Sequence, residues 1–271
     1  MGAWLDLLAA SPRPPLWLDD TDYSGRLLAG GRIPWCDATA LIAWRRQAVS
    51  LLKPSLGVLD VGRLAAAFAA ASPALTAGVG RGPIDPLAAL LASAPLRRHV
   101  AEVSKGLRLS LKMPLALVMP SPRAWPGLVY AGAFGASAPL GADQTDEASV
   151  YVADFLRSFG EAGVDALLLT DDPQTRPRDA DEVGWYQSVL NVGRHYRWDV
   201  GLKTPEVPAD DGGLDFLIAP TGARGVELGA PFWTMDAPVP AVAPGGFRYA
   251  RIPQDTAPER VLAKLANLGA P

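Results

Sequence analysis

Two hydrophobic patterns take turns along the chain. Short, nearly continuous apolar runs rich in Leu, Val and Ile are typical of strands that are buried on both faces. Longer segments with apolar residues three and four positions apart are typical of amphipathic helices. The apolar runs predict strands at 16–18, 56–61, 114–119, 164–170, 200–202, 214–219, 232–236 and 247–252.

Helical patterns fill most of the intervals between these runs. The clearest covers 145–162, where Val152, Phe155, Leu156 and Phe159 share one face before a glycine at 163. Proline and glycine content predicts loops at 23–35 and 125–143, the second a lid or a surface loop. Further helices are predicted at 1–10, 38–52 with Asp37 as N-cap, 63–71, 87–109 in two pieces, 181–196 and after the capping-box spacing at 256–259.

Strands that alternate with helices indicate βαβ units and a parallel sheet. The chain has 271 residues, which suits an α/β (β/α)8 TIM-type barrel, since such barrels typically run to about 250 residues as one domain. A doubly wound parallel sheet is the alternative. No internal repeat or linker divides the sequence, so we expect a single barrel domain over 1–271.

The composition is typical of a folded protein and argues against binding to nucleic acid or insertion into a membrane. Hydrophobic residues make up 49% of the chain and charged residues 20%, enough apolar material for a full core. The net charge of −3 argues against a nucleic-acid partner. No apolar stretch is long enough for a membrane span, and the first ten residues lack the basic start of a signal peptide. We therefore expect a cytoplasmic protein.

Few side chains suit a soft metal. Cys36 is the single cysteine, and His99 and His195 lie far apart in sequence, so a zinc site is not expected. A carboxylate site for a hard cation such as Mg²⁺ stays open. The sequence has no dinucleotide-binding glycine motif after a strand, no P-loop, no G-x-S-x-G and no H-E-x-x-H. The expectation is a site without metal or cofactor.

Acidic residues follow two of the predicted strands. In parallel α/β sheets, sites lie at the carboxyl ends of the strands. Asp171 and Asp172 directly follow the run 164–170, and two crowded carboxylates can hold a proton because like charges raise one pKa. Asp19 and Asp20 leave the first strand in the same way. The structural alternative for both pairs is capping of the next turn.

Cationic and aromatic residues follow other strands. Arg123 and Lys203 come after the strands on either side of the Asp171 run, where they could bind the carboxylate of a substrate. Tyr130 and Trp233 could wall an aromatic ligand. The alternatives are surface charges whose stems lie on apolar groups, and aromatic rings that pack in the core or at the rim.

One passage resembles a known family. The helix with Phe155 and Phe159, the turn at Gly163, and VDALLLT followed by Asp171-Asp172-Pro173 are similar to a segment of the uroporphyrinogen decarboxylase / cobalamin-independent methionine synthase superfamily. The passage PLALVMPSPRAW at 114–125 resembles that family's strand and substrate loop. The resemblance implies a (β/α)8 barrel, with decarboxylation or methyl transfer as the activity.

The sequence also departs from that family. Its methyltransferases bind zinc through His and Cys, and here no H-x-C motif and no late cysteine are present. The arginine-rich start of the decarboxylases is replaced by Leu18-Asp19-Asp20. A divergent member with its own chemistry is therefore implied.

Three functions are compatible with these observations. The first is a metal-free barrel enzyme of the decarboxylase or lyase type, acting on a small carboxylated, aromatic or tetrapyrrole-like substrate. Arg123 and Lys203 would bind the carboxylate, and Asp171 or Asp19 would handle the proton. The second is a methyltransferase that works with a corrinoid protein or another methyl carrier. The third is a non-catalytic barrel that binds a ligand or partner. A homodimer is open in each case.

Overall fold

The computed structural model describes residues 2–75, 78–171, 182–205, 207–208, 210–235 and 238–268. Its strands are β1 (Leu16–Asp19), β2 (Gly57–Asp60), β3 (Leu115–Pro120), β4 (Ala166–Thr170), β5 (Asp199–Lys203), β6 (Phe216–Ala219), β7 (Gly225–Leu228) and β8 (Phe247–Arg251). All pairings are parallel, in the order β1-β8-β7-β6-β5-β4-β3-β2. The strands form a nearly closed barrel with helices between them, so the predicted (β/α)8 barrel is confirmed.

The helices cover the outside of this barrel and one of its ends. They are α1 (Ala3–Ala10), α2 (Thr21–Ala29), α3 (Ala38–Leu52), α4 (Val61–Ala71), α5 (Asp85–Ala92), α6 (Ala94–Leu111), α7 (Trp125–Phe134), α8 (Ala142–Arg157), α9 (Gln187–Tyr196), α10 (Ala230–Thr234) and α11 (Pro258–Asn267). Within the described ranges, none of them has the length and apolar character that crossing a bilayer requires.

Two predicted loops begin as helices. The first part of the glycine-rich segment 23–35 belongs to α2, and Gly25 lies inside that helix, where an added Cβ would stand 2.6 Å from Ile33 Cδ1. Here glycine permits close packing and does not break the helix. The segment 125–143, predicted as a lid or surface loop, begins with α7, which has Pro126 in its first turn and is capped at its end by Gly135 with φ of 65°.

One predicted strand is wrong and another was missed. The run 232–236 belongs in part to α10, a short helix with Pro231 in its first turn. The seventh strand is Gly225–Leu228, only four residues with a glutamate inside, which gave too weak a pattern to detect. The predicted capping box at 256–259 is also absent, because Ala257 is the N-cap of α11 and makes no side-chain cap.

Alternation along the strands separates the barrel interior from the outer core. One buried cluster combines Trp17, Val58, Leu168, Phe216 and Phe247, which come from different strands around the barrel. Helix α1 closes the amino end of the barrel, where the Trp4 ring meets Trp17 edge-on at 5.5 Å. A separate, larger cluster packs the outer face of the sheet against the helices.

A carboxylate anchors this N-terminal helix. Asp199, at the start of β5, accepts hydrogen bonds from the backbone N–H of Gly2 (2.7 Å) and of Leu5 (2.9 Å), and it is buried. Replacing Asp199 with Ala leaves two buried donors without partners, so we expect a loss of about 2 kcal/mol in the free energy of unfolding, measured by urea denaturation. The exposed Asp6, replaced by Ala, is the control and should change it by less than about 0.5 kcal/mol. Equal stability of the two variants would contradict this anchoring role.

The two strands β1 and β2 are adjacent in the barrel but do not pair. Among the described residues, the backbone link between them is made by Ser55, just before β2, whose N–H donates to Leu16 O at 3.0 Å. The Ser55 Oγ accepts from Leu16 N at 2.8 Å. The seam between the two strands is therefore joined at the amino end of the barrel and is open to side chains toward the carboxyl end.

Candidate functional site

Polar side chains from five strands point into the carboxyl end of the barrel. Asp19 and Asp60 each lie two residues after an interior residue of the same strand, Trp17 and Val58, so alternation turns them inward. The same reasoning places Lys203, Glu227 and Tyr249 on the inner face of their strands. Three neighbours complete the group, which we call the barrel mouth: Asp22 of α2, Arg63 of α4 and Arg251 of β8.

Polar contacts in the mouth join β8 to β1 and β5 to β7. The Tyr249 hydroxyl donates to Asp19 Oδ2 at 3.2 Å, and Lys203 Nζ pairs with Glu227 Oε1 at 2.9 Å. The same ammonium lies 5.4 Å from the centre of the Tyr249 ring, within cation–π range. The side chains of Asp19, Lys203 and Glu227 are 27%, 28% and 23% exposed, so a small molecule can reach them from solvent.

Asp22 is the anchor for both arginines of the mouth. Arg63 Nη2 donates to Asp22 Oδ2 at 3.0 Å, with a second contact through Nη1, and Arg251 Nη2 donates to the same oxygen at 2.6 Å. Hydrogen bonds from Arg63, together with those from Arg251, lower the pKa of Asp22 to about 2 against the opposing effect of burial. This carboxylate is therefore ionised throughout the neutral range.

Asp60 is in the opposite electrostatic situation. It caps α4 by accepting from Arg63 N at 2.9 Å, and its second oxygen lies 3.4 Å from Arg63 Nε. Burial raises the pKa of Asp60 to about 6, with the negative charges of Asp19 and Asp22 adding to the effect. Burial, with Asp19 and Glu227, also raises the pKa of Tyr249 well above its usual value, so its hydroxyl stays protonated and acts as a donor.

Two predicted catalytic candidates occupy different places. Asp19 lies in the mouth. Asp171 directly follows the inward-facing Thr170, and its fully buried side chain accepts from Ser121 Oγ at 2.7 Å and pairs with Arg123 Nη2 at 3.3 Å. Arg123 also approaches Glu182 Oε1, at 3.9 Å from its Nε. This second cluster ties the loop after β3 to the end of β4, outside the barrel mouth.

The predicted substrate-binding residues are likewise divided. Lys203 lies in the mouth, whereas Asp20 forms a buried ion pair with Arg45 of α3 at 2.7 Å on the outer side of the barrel wall. Trp233 is fully buried in an outer cluster that includes residues of α11, and Tyr130 packs against Phe134 within α7 at 4.8 Å. Asp172 lies outside the described residues.

Sequence reasoning overlooked much of the mouth. The sequence pattern of β8 could have revealed Tyr249 and Arg251. They lie two and four residues after the buried Phe247, so strand alternation places all three side chains on the same face. Glu227 could not be predicted as a site residue, because the sequence pattern does not predict β7, the strand that contains it. Arg63 lies in α4, where no strand-end rule finds it. Among the described residues, no group of three His, Cys, Asp or Glu side chains is arranged to hold a metal ion.

Comparison with known proteins gives distant structural matches. No family model matches the chain, and no curated protein sequence matches it. Among the solved structures similar to it is a protein assigned as a phosphonomutase from Burkholderia cenocepacia J2315, with 14% identity, a TM-score of 0.41, and coverage of 98% of this chain and 96% of that one. Another is 2,3-dimethylmalate lyase, a PEP mutase/isocitrate lyase superfamily member, with 15% identity, a TM-score of 0.34 and 85% coverage of each chain.

The predicted relationship to the uroporphyrinogen decarboxylase / cobalamin-independent methionine synthase superfamily is wrong. No family model of that superfamily matches the chain, and neither of the two structures is described as one of its members: one is assigned as a phosphonomutase and the other as a PEP mutase/isocitrate lyase superfamily member. The passage that suggested the relationship is a buried strand followed by Asp171, and that carboxylate serves the Ser121–Arg123 cluster. A strand with an acidic exit is common to many parallel barrels. The methyltransferase with a corrinoid partner rested on the same resemblance and is withdrawn with it.

Proposed function

We propose that the protein is an enzyme whose barrel mouth binds a small carboxylated substrate and cleaves it by an acid/base lyase reaction. The observation that carries the proposal is the convergence of Asp19, Tyr249 and Lys203, from three different strands, on one solvent-accessible space. A proton acceptor, a protonated hydroxyl and a cation within reach of one another are the groups such a reaction needs.

Lys203 and Arg251 are the groups for the substrate carboxylate. The Lys203 ammonium has three N–H donors, and Glu227 accepts from one of them. Arg251 is 56% exposed and bonds Asp22 through Nη2, so part of its guanidinium faces solvent. A carboxylate between these two cations would be bound by charge-assisted hydrogen bonds.

Decarboxylation is the simplest reaction that this arrangement supports. The bond between the carboxylate carbon and its neighbour breaks, CO₂ leaves, and the electron pair passes to the neighbouring carbon and an adjacent carbonyl oxygen. The Tyr249 hydroxyl and the Lys203 ammonium can stabilise the charge on that oxygen. Asp19, which accepts the Tyr249 hydrogen bond, orients the hydroxyl and can exchange a proton with it. A tetrapyrrole substrate was implied only by the resemblance to the uroporphyrinogen decarboxylases and is not proposed.

A thermal-shift screen tests the binding half of this proposal. The probes are malonate, oxaloacetate, acetoacetate and benzoylacetate, because each has a carbonyl or carboxyl group next to the carbon that keeps the electron pair. A ligand at about 100 times its Kd stabilises the folded state by about 2.7 kcal/mol, a shift of roughly 5–10 °C for a chain of this size. We expect such a shift with at least one acid, and its loss in Lys203→Met because the carboxylate partner is removed.

The exposed Lys105 of α6 provides the matched control. Lys105→Met should keep the ligand-induced shift that Lys203→Met loses. The catalytic half is tested by CO₂ release from the acid that binds, which we expect to fall about 100-fold or more in Asp19→Asn. Binding without turnover would instead support the non-catalytic barrel, and no shift with any acid would contradict the proposal.

A further inference from the structure

A small cavity, which we call the seam cavity, lies between β2 and the helices α2 and α3, beside the seam that separates β1 from β2. Its walls include Thr21, Trp35, Trp44, Arg45, Val58 and Asp60. Asp60 belongs both to the mouth and to the wall of this cavity. The seam exists because no strand hydrogen bonds join β1 to β2 beyond Ser55 within the described residues.

Buried polar atoms at the cavity lack protein partners. Arg45 is 3% exposed, and its Nη1 pairs with Asp20 Oδ1 at 2.7 Å. In the part of the chain that the structure describes, neither Arg45 Nε nor Asp20 Oδ2 has a hydrogen-bond partner. A buried donor left without a partner costs free energy, and such groups are commonly satisfied by an internal water. Because Arg45 lines the seam cavity, we place this internal water there.

We propose that Asp60 is the proton donor of the barrel mouth and that a water molecule in the seam cavity, hydrogen-bonded to Arg45, resupplies its proton. The inference rests on the proposed function and names the acid that the reaction requires. When the carbon–carbon bond of the substrate breaks and CO₂ leaves, the carbon that keeps the electron pair takes the proton of Asp60. The seam water then transfers a proton from solvent to the Asp60 carboxylate, so one proton is consumed for each CO₂ released.

The charges that face Asp60 fit this role. They are Asp19 from β1, Asp22 from α2, Arg63 from α4 and, across the cavity, Arg45 from α3, while β3 presents Val118 and Pro120. Burial and the two carboxylates raise the pKa of Asp60 to about 6, whereas the arginines hold that of Asp22 at about 2. When the pKa values of two carboxyl groups in one site are shifted in opposite directions, one can donate a proton while the other stays ionised. Here Asp60 is the group that can donate, and Asp22 is the group that stays ionised.

A residue-specific titration tests the inference without a substrate. Full-length protein labelled with ¹³C at the aspartate carboxyl carbons is titrated by NMR, and Asp60→Asn identifies the Asp60 signal. We expect a midpoint near pH 6. Val58→Ile adds a methylene to the wall of the cavity and displaces the water, so the midpoint should rise by about half a pH unit or more through further desolvation.

The matched control is Val152→Ile in α8. Val152 is fully buried in the outer core, and α8 packs against α5 and α9 rather than β2 or α3, so the same methylene is added away from Asp60 and the midpoint should stay at the wild-type value. A wild-type midpoint near pH 4, or equal midpoints in the two isoleucine variants, would overturn the inference. With an acid that binds, Asp60→Asn should lower kcat for CO₂ release about 100-fold with little change in KM.

The two proposals fail separately. If an acid binds at Lys203 and is turned over while Asp60 titrates near pH 4, the proton donor is another group and the inference alone is wrong. If Asp60 titrates near pH 6 and responds to Val58→Ile, but no acid in the panel binds, the proposed substrate class is overturned and the water-linked proton on Asp60 is supported.

Discussion

Replacing Arg45 with Met is expected to lower the free energy of unfolding by about 3–5 kcal/mol. Arg45 and Asp20 form an ion pair at 2.7 Å in which the side chains are only 4% and 2% exposed. Methionine fills a similar volume but leaves the Asp20 carboxylate buried without its counter-charge, which is the costly way to break such a pair. Urea denaturation at pH 7 measures the loss.

The double variant Asp20→Asn/Arg45→Met shows whether the cost is the unpaired charge. With both charges removed, we expect most of the lost stability to return, because a buried pair contributes little net free energy against neutral side chains of similar size. Arg26→Met, which breaks the exposed pair with Asp255, is the control and should cost less than about 1 kcal/mol. A loss in Arg45→Met no larger than in Arg26→Met would show that the seam pair is not shielded from water.

This ion pair explains how a barrel tolerates an unpaired seam. In the described sheet, hydrogen bonds join all neighbouring strands except β1 and β2, which are separated at their carboxyl ends. Asp20 follows β1 and Arg45 belongs to α3, which packs against α2 and α6. The pair therefore fastens the outer helix to the strand beside the gap, and the inward neighbours Asp19 and Asp60 are left free to build the mouth.

The fold was largely predictable because it depends on a repeated pattern. The pattern is strongest in the apolar strands β3 and β4 and in α8. Val152 and Phe155 of that helix lie on one face, which Phe159 continues just beyond its end. Errors occurred where local composition misled. Glycine content predicts a loop around Gly25, although this glycine allows α2 to pack closely on Ile33, and β7 is too short and too polar to give a strand pattern.

The site was less predictable, because inward and outward positions differ by one residue. The strand-end rule correctly selects the edge of the sheet, but it cannot distinguish Asp19 from Asp20, or Thr170 from Asp171, without knowing the register of each strand. In the structure Asp19 faces the mouth, and Asp20 faces α3. Partners such as Arg63 and Asp22 come from helices and are brought together only by tertiary packing.

Replacing Asp60 with Asn is expected to stabilise the protein, and by more as the pH rises. Because the pKa of Asp60 is raised from 3.8, its ordinary value, to about 6 in the folded state, the folded state binds its proton more tightly than the unfolded state. The stabilising contribution of that proton is fully present below pH 4 and is lost as pH rises through 6. At 1.36 kcal/mol per pKa unit, the penalty above pH 7 is about 3 kcal/mol.

Asn keeps an oxygen that can accept from Arg63 N, so the cap of α4 remains while the titration is removed. The free energy of unfolding, measured from pH 4 to pH 8, should therefore diverge between the variant and the wild type chiefly between about pH 4 and pH 6, with the variant more stable at the alkaline end. Asp37→Asn at the cap of α3 is the matched control, since that carboxylate is exposed and keeps its hydration in the folded state. Parallel pH curves for Asp60→Asn and the wild type would mean that Arg63 offsets the cost of burial, and Asp60 would then be a permanent anion like Asp22.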